Sequence, residues 1–172
     1  MPRIFRGLFF LLVLAALAQA AWHYAHLPAQ VATHFNLEGQ ADGWSSRQAH
    51  VALQAGLALG LGLLFGNLGR ILRRLPDSLI NLPNRDYWIA PAQRAATFQA
   101  LEAMGCACGL AILGFFMLLF QQVYTANLTG RLELQLGPLL ISQFLFVTGL
   151  VIIMMFRFRR PDAAKAGSGR RR

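Results

Sequence analysis

The sequence predicts an all-α integral membrane protein: four transmembrane helices in a bundle, a short extended or hairpin-like outer loop, and a short interfacial cytoplasmic helix. Three observations carry this expectation. The 172 residues are 56% hydrophobic and only 13% charged, with a mean hydropathy of +0.46, whereas soluble domains carry about 25% charged residues. Four apolar runs each approach the roughly 20 residues that an α-helix needs to cross about 30 Å of hydrocarbon. The basic residues gather on alternate connections between those runs.

The predicted spans cover 6–24, 50–69, 103–124 and 138–156. None holds a charge inside its apolar body, where Arg or Asp would cost roughly 2.5–3.5 kcal/mol on insertion scales. Of the 16 Lys and Arg residues, only Arg47 and Arg131 fall on the connections after spans 1 and 3. The others precede span 1, lie between spans 2 and 3, or follow span 4. The positive-inside rule then places both termini in the cytoplasm. This accounts for the net charge of +9 without nucleic acid. Arg70, Arg73, Arg74, Arg157, Arg159 and Arg160 flank helix ends, where anionic lipid headgroups are the expected partner. Residues 1–160 read as one four-span domain and 161–172 as a disordered basic tail.

Span 1 has a rival reading. Its basic start, apolar middle and Ala18-Gln19-Ala20 resemble a cleavable signal peptide. Retention is expected, because apolar character continues through Ala21 and Trp22.

Span 2 carries Ala52, Gly56 and Gly60 four apart, then Gly62 and Gly66; span 3 carries Gly105 and Gly109. Small residues at this spacing let helices approach closely in lipid, either within the bundle or across a homodimer face. Cys106 and Cys108 lie in an apolar run, which excludes a disulfide framework. With no His expected in the bodies of spans 2, 3 or 4 to join them as metal ligands, they read as small packing residues. Polar residues within spans are few (Gln54, Asn67, Ser142, Gln143, with Gln121 and Gln122 near an end), and no ionisable group is expected at depth. That argues against a transporter acting alone and against an intramembrane protease. The chain reads as non-enzymatic, with no cofactor.

The cytoplasmic connection, 70–102, is broken by Pro76 and Pro83. Leu75, Leu79, Ile80 and Leu82 are expected in the headgroup zone, with Tyr87 and Trp88 as interface anchors. Pro91 suits a first helical turn, and Phe98, Leu101 and Met104 recur at helical spacing, predicting an interfacial helix that runs into span 3. Asn84, Asp86, Tyr87 and Trp88 form either a membrane-surface turn or a partner-docking site.

The outer connection, 27–46, contains "LPAQVATHFNLEGQADGWSS". Leu27-Pro28 ends the first helix. Val31, Thr33 and Phe35 alternate with Ala32, His34 and Asn36 as in a strand. Gly39 and Asp42-Gly43 are turn signals, and Ser45 with Gln48 reads as a capping box opening span 2. His34, Asn36, Gly39, Asp42 and Trp44 are the candidate ligand- or partner-binding residues. Four readings stand: His34 and Asn36 hydrogen-bonding the loop's own backbone, recognition of a ligand or peptide, a metal site, and a pH sensor. His23, His26 and His34 are the metal candidates. His23 and His26 are three apart and share a helix face, but no metal-binding motif is present.

This stretch resembles the bacterial family called domain of unknown function 1648, through Leu27-Pro28, His34-Phe35-Asn36, Gly39 and Asp42 to Ser46; Ala32 and Ala41 stand where proline is common in that family. The resemblance implies a retained first helix and an inner-membrane location. The module also occurs in SdpI-like proteins, some of which confer immunity to a secreted toxic peptide and signal to a cytoplasmic repressor. The family implies no catalytic residues. The function expected is a binding, sensing or accessory module acting through the outer loop; the alternatives are an SdpI-like immunity role and a metal-binding membrane protein.

Overall fold

The computed structural model describes residues 2–131 and 134–159. The expected tail, with Lys165, Arg170, Arg171 and Arg172, and Arg160 lie outside the described residues. The chain runs α1 (Pro2–His26), β1 (Gln30–Phe35), β2 (Ala41–Ser46), α2 (Arg47–Gly66), α3 (Leu68–Arg74), a 3-10 turn (Asp77–Leu79), α4 (Arg85–Trp88), α5 (Pro91–Thr129) and α6 (Leu136–Arg157). By length and composition this is a multi-pass membrane protein: Ile4–His26, Arg47–Gly66, Pro91–Thr129 and Leu136–Arg157 are each long and apolar enough to cross a membrane.

The core lies where α1, α2 and α5 meet. Phe9, Val13 and Ala16 of α1 pack with Ala58 of α2 and Leu113 of α5, and Phe65 sets its ring edge-on to Phe9 at 5.9 Å. The glycines divide between two faces. Gly62, Gly66 and Gly109 receive Val13, Phe10 and the Phe65 and Phe9 rings, so that a Cβ at Gly109 would stand 2.7 Å from Phe65. Gly56 and Gly60 instead have open space around them and lie with exposed Ala52 on the outward face of α2.

Three helix boundaries depart from expectation. Span 2 was expected to reach residue 69, but α2 stops at Gly66. The Asn67 amide donates to the Leu63 carbonyl at 2.8 Å, competing with the helical ladder, and the chain restarts as α3. The N-cap of α2 is Ser46, not Ser45: its hydroxyl accepts the Ala49 N–H at 3.2 Å. The interfacial helix from Pro91 runs into span 3 as expected, but the helix continues past 124 to Thr129, 39 residues in all, about 58 Å long at 1.5 Å per residue. α5 therefore overhangs the apolar layer at both ends.

The overhang at Pro91 carries a folded connection rather than a lipid-facing turn. Ile80 and Leu82, expected among headgroups, are buried with Phe98 and Phe158; Leu79 does stay exposed. Arg94 pairs with Asp77 through two contacts, 3.0 and 2.9 Å, and this hydrogen bonding draws the Asp77 carboxyl below its ordinary range. α6 is fastened mainly at its ends. Asn84 and Trp88 both donate to the Phe158 carbonyl, at 3.1 and 2.7 Å, and Gln122 pairs with the Gln135 backbone at the far end, at 2.9 and 3.3 Å. Between these bolts Leu139 is its buried residue.

The hairpin caps the α1–α2 end. β1 and β2 are antiparallel, with bulges on either side of His34 that break strict alternation. Gly39 at the tip holds φ +83°, and a Cβ there would lie 2.7 Å from the Leu134 carbonyl oxygen; the Leu134 N–H donates to the Gly39 carbonyl at 3.0 Å. Gly130 also has positive φ, +68°, but open space around it. Gly130→Ala should therefore cost only the left-handed backbone strain, about 1–2 kcal/mol. Gly39→Ala should cost more, because it also forces the tip off Leu134. Thermal unfolding of both variants in detergent checks this, and equal losses would mean that the tip contact contributes nothing.

Candidate functional site

The hairpin has a fastened side and a displayed side. The fastening begins at Asn127, on the overhang of α5. Its Oδ1 accepts the Ala32 N–H at 2.8 Å and its Nδ2 donates to the Ala32 carbonyl at 3.0 Å. The side-chain amide thus pairs with β1 as a neighbouring strand would. Proline at position 32 would lack the N–H that Asn127 accepts. Below this contact, Leu27 and Val31 bury against Val123 and Tyr124. Arg47 ties the base: its side chain donates to the Leu27 carbonyl at 3.0 Å and lies over the Tyr24 ring, 4.8 Å from its centre. Within the tip, Asn36 Oδ1 accepts the Gln40 N–H at 2.8 Å. Asn36 and Gly39, two of the candidate binding residues, therefore hold the loop's shape.

The displayed side carries the other three. His34 Nδ1 lies 2.5 Å from Asp42 Oδ1, with the side chains 75% and 46% exposed. The expectation that His34 bonds the loop backbone is corrected: its partner is a carboxylate across the hairpin. Trp44 is 56% exposed and Leu37 wholly exposed at the tip. On the opposite side of the bundle, Asn84 and Trp88 are spent on the Phe158 carbonyl, whereas Asp86 remains exposed and Tyr87 half-buried.

Beneath the hairpin lies a polar cluster that the sequence did not reveal. The Met117 carbonyl only accepts, so it fixes the Gln19 amide: Nε2 donates to Met117 at 3.1 Å and to Gln121 Oε1 at 3.1 Å. Gln19 Oε1 then accepts from Gln54 Nε2 at 3.2 Å. Gln54 Oε1 consequently faces His23 Nδ1 at 3.0 Å, which donates to it. The other nitrogen of His23 is 3.3 Å from Gln121 Oε1. The imidazole stacks on Tyr124 at 4.3 Å, whose hydroxyl accepts from Trp22 Nε1 at 3.1 Å. His50, one turn before Gln54 on α2, is also buried, edge-on to Phe120 at 5.4 Å.

His23 and His50, at the outer ends of the predicted spans 6–24 and 50–69, are buried in the bundle, against the expectation that no ionisable group lies at depth. They look inward because they share the buried stripes of α1 and α2, a direction that hydropathy does not encode. His26 points out: its ring lies 4.1 Å from Trp22 and its Nδ1 faces the Trp22 carbonyl. His23, His26 and His34 thus stand in three separate settings, and among the described residues no three His, Cys, Asp or Glu side chains gather as a metal set.

The helix–hairpin–helix that holds most of these groups can be placed in a family. Residues 11–58 match the model described as Domain of unknown function (DUF1648). That segment runs from Leu11 in α1 to Ala58 in α2, and the resemblance read from residues 27–46 falls inside it. No curated protein and no solved structure matches the chain. The DUF1648 segment is not self-sufficient here: Gln121, Tyr124, Asn127 and Leu134, which complete its cluster and seat its hairpin, come from outside it.

Two substitutions test this construction. Asn127→Ala leaves both polar groups of Ala32 without their partner. It should destabilise the protein by about 1–3 kcal/mol and speed amide hydrogen exchange at Ala32 more than at the core helices; exchange unchanged at Ala32 would discount the clamp. Gln54→Leu leaves His23 Nδ1 and Gln19 Oε1 unpaired among apolar groups. It should cost about 1–3 kcal/mol in thermal unfolding, whereas Leu at exposed Gln30 should be near neutral.

Proposed function

We propose that the protein is a non-enzymatic module of a bacterial inner membrane, with both termini cytoplasmic, that recognises a protein or peptide partner through the displayed side of its outer hairpin. The positive-inside pattern supports the orientation. The observation that carries the functional reading is the division of the hairpin. Asn36, Gly39, Ala32 and Arg47 hold its shape, leaving Leu37, Trp44 and the His34–Asp42 pair each exposed on a preorganised scaffold. Aromatic and aliphatic side chains displayed on a preorganised backbone are what binding hot spots are built from. A secreted peptide, as in the SdpI-like reading, fits the same surface; this alternative draws its support from the DUF1648 segment. Arg70, Arg73, Arg74, Arg157 and Arg159 would meet anionic lipid at the cytoplasmic face, although Arg73 also pairs with Glu102 at 3.4 Å and Arg157 covers the Trp88 ring at 5.3 Å. Asp86 and Tyr87 are what remains for a cytoplasmic partner. The exposed Ala52, Gly56 and Gly60 face supports a homodimer.

Site-specific photocrosslinking in native membranes tests these readings together. Probes at Leu37 and Trp44 should each give the same discrete protein or peptide adduct. Combining His34→Ala with Asp42→Ala should reduce it at least fivefold without changing the melting temperature. A probe at Gly56 should give an adduct of the chain with itself. Adducts to lipid alone at positions 37 and 44 would sink the recognition reading, and the absence of a self-adduct the dimer.

A further inference from the structure

The two edges of the outer hairpin are unequal, and the phase of its ladder shows how. At the base, the Arg47 N–H donates to the Ala29 carbonyl at 3.0 Å, so the backbone groups of that pair point inward. In an antiparallel ladder, inward and outward pairs alternate. Val31 and Ser45 therefore bond each other, whereas Gln30 with Ser46, and Ala32 with Trp44, turn their backbone groups outward. The Asn127 amide agrees with this phase, because it takes both outward groups of Ala32. That closes the β1 edge. On the β2 edge, the N–H and C=O of Trp44 and the N–H of Ser46 point the other way, and none of the three meets a partner among the described residues. β2 lies only against β1 and α2, so no other described element covers this edge.

An open strand edge is a template for another strand, and its side chains select which. Asp42, Trp44 and Ser46 are the exposed positions of β2. The bulges around His34 confine regular pairing to the 44–46 end. Residues 27–46 hold two carboxylates, Glu38 and Asp42, both exposed, and no Lys or Arg. Arg47, the next residue, is spent on the Leu27 carbonyl and the Tyr24 ring. Opposite charges on neighbouring strands attract and like charges repel. A second copy of β2 would bring the same two carboxylates to an edge that already carries them, whereas a basic strand would complement it. Trp44 adds a large apolar side chain for the incoming strand to pack on.

We propose that the β2 edge binds by strand addition: an extended, basic segment of a partner chain bonds its backbone to Trp44 and Ser46, sets an apolar side chain against the Trp44 indole and places a Lys or Arg beside Asp42. This rests on the reading that the hairpin recognises a protein or peptide, and it names the class of segment and the mode of binding. Main-chain bonds supply attachment that is independent of the partner's sequence, and the Trp44 and Asp42 side chains supply the selection. Asn127 has the complementary part. By occupying the β1 edge from within the chain, it leaves the hairpin one edge to offer.

The test keeps the full chain in native membranes, with the photocrosslinking probe at Leu37, at the tip and off the edge itself. Trp44→Ala removes the side chain and keeps the N–H. Trp44→Pro removes both, yet leaves the bonds between β1 and β2, in which the Trp44 N–H takes no part. The Leu37 adduct should fall about tenfold further with proline than with alanine. Glu38→Lys with Asp42→Lys should reduce it about fivefold, and the crosslinked segment should carry Lys or Arg. In the wild-type adduct, amide hydrogen exchange at Trp44 and Ser46 should slow, while Ala32, already held by Asn127, should not change. Equal losses in the alanine and proline variants would overturn strand addition and leave recognition by the hairpin standing; no wild-type adduct would remove both. A segment without basic residues, or an adduct indifferent to charge reversal, would overturn the basic partner. An adduct of the chain with itself would replace that partner by a second copy. Variants are compared only where circular dichroism melts match wild type. If Trp44→Pro fails this criterion, exchange at Trp44 and Ser46 decides, and unslowed exchange overturns the proposal.

Discussion

The overhang of α5 is the constraint on which the rest of the structure depends. A helix needs about 20 residues to cross the hydrocarbon, and α5 has 39. The surplus cannot be buried in lipid, so it becomes scaffolding on both sides. At the hairpin end, Val123, Tyr124 and Asn127 form the post on which β1 is hung. At the other end, Thr97 donates to the Trp88 carbonyl at 2.8 Å and Phe98 closes over Ile80 and Leu82. An isolated two-stranded hairpin is marginal in water. Here it gains an effective third partner, because the Asn127 amide takes the place of a neighbouring strand at Ala32.

The same physical device recurs wherever chain segments meet. Neutral side-chain amides satisfy backbone groups: Asn127 at Ala32, Gln122 at Gln135, Asn84 at Phe158, Asn36 at Gln40, Asn67 at Leu63. An amide offers both a donor and an acceptor and carries no charge to desolvate, so near the apolar layer it costs far less than an ion pair. The Arg94–Asp77 ion pair and the His34–Asp42 contact stand at exposed margins. The buried network under the hairpin follows the same rule. Gln54 and Gln121 flank the His23 imidazole, Gln19 joins them, and the Met117 carbonyl orients the set.

What was legible in the sequence was the part governed by composition. Four apolar runs gave the four spans, and the turn signal at Gly39 gave the hairpin tip, whereas Asp42-Gly43, read as a turn, lies within β2. Boundaries were less legible, because amphipathic ends continue a helix past its apolar body: span 3 was read as ending at 124 where α5 runs on to Thr129, although its interfacial start at Pro91 was marked by the proline. The candidate site divided along the same line. His34, Asn36, Gly39, Asp42 and Trp44 could be named as candidates because they are local to one loop. Asn127 could not, because its partner is 95 positions away in the chain and nothing near it in sequence marks it. The burial of His23 was not legible either, since apolar periodicity cannot tell a helix face that meets another helix from one that meets lipid. Two signals were nonetheless present. Gln19 and His23 are four apart on α1, and His50 and Gln54 four apart on α2, so each helix carries a polar pair on one stripe. Of the two pairs, Gln54 meets Gln19 and His23 directly, whereas the Nε2 of His50 is buried without a partner among the described residues.

That complementarity bears on what the DUF1648 segment can do alone. Its two helices bring Gln19, His23, His50 and Gln54 together, but the network ends on Gln121 and Met117, and the hairpin on Asn127 and Leu134, all beyond residue 58. Any displacement of α5 would therefore be felt at once by the buried imidazole and by the hairpin, which are attached to the same three helical turns, from Met117 to Asn127. One helix, α5, thus carries both contacts, the amide of Gln121 under the imidazole cluster and that of Asn127 under the hairpin.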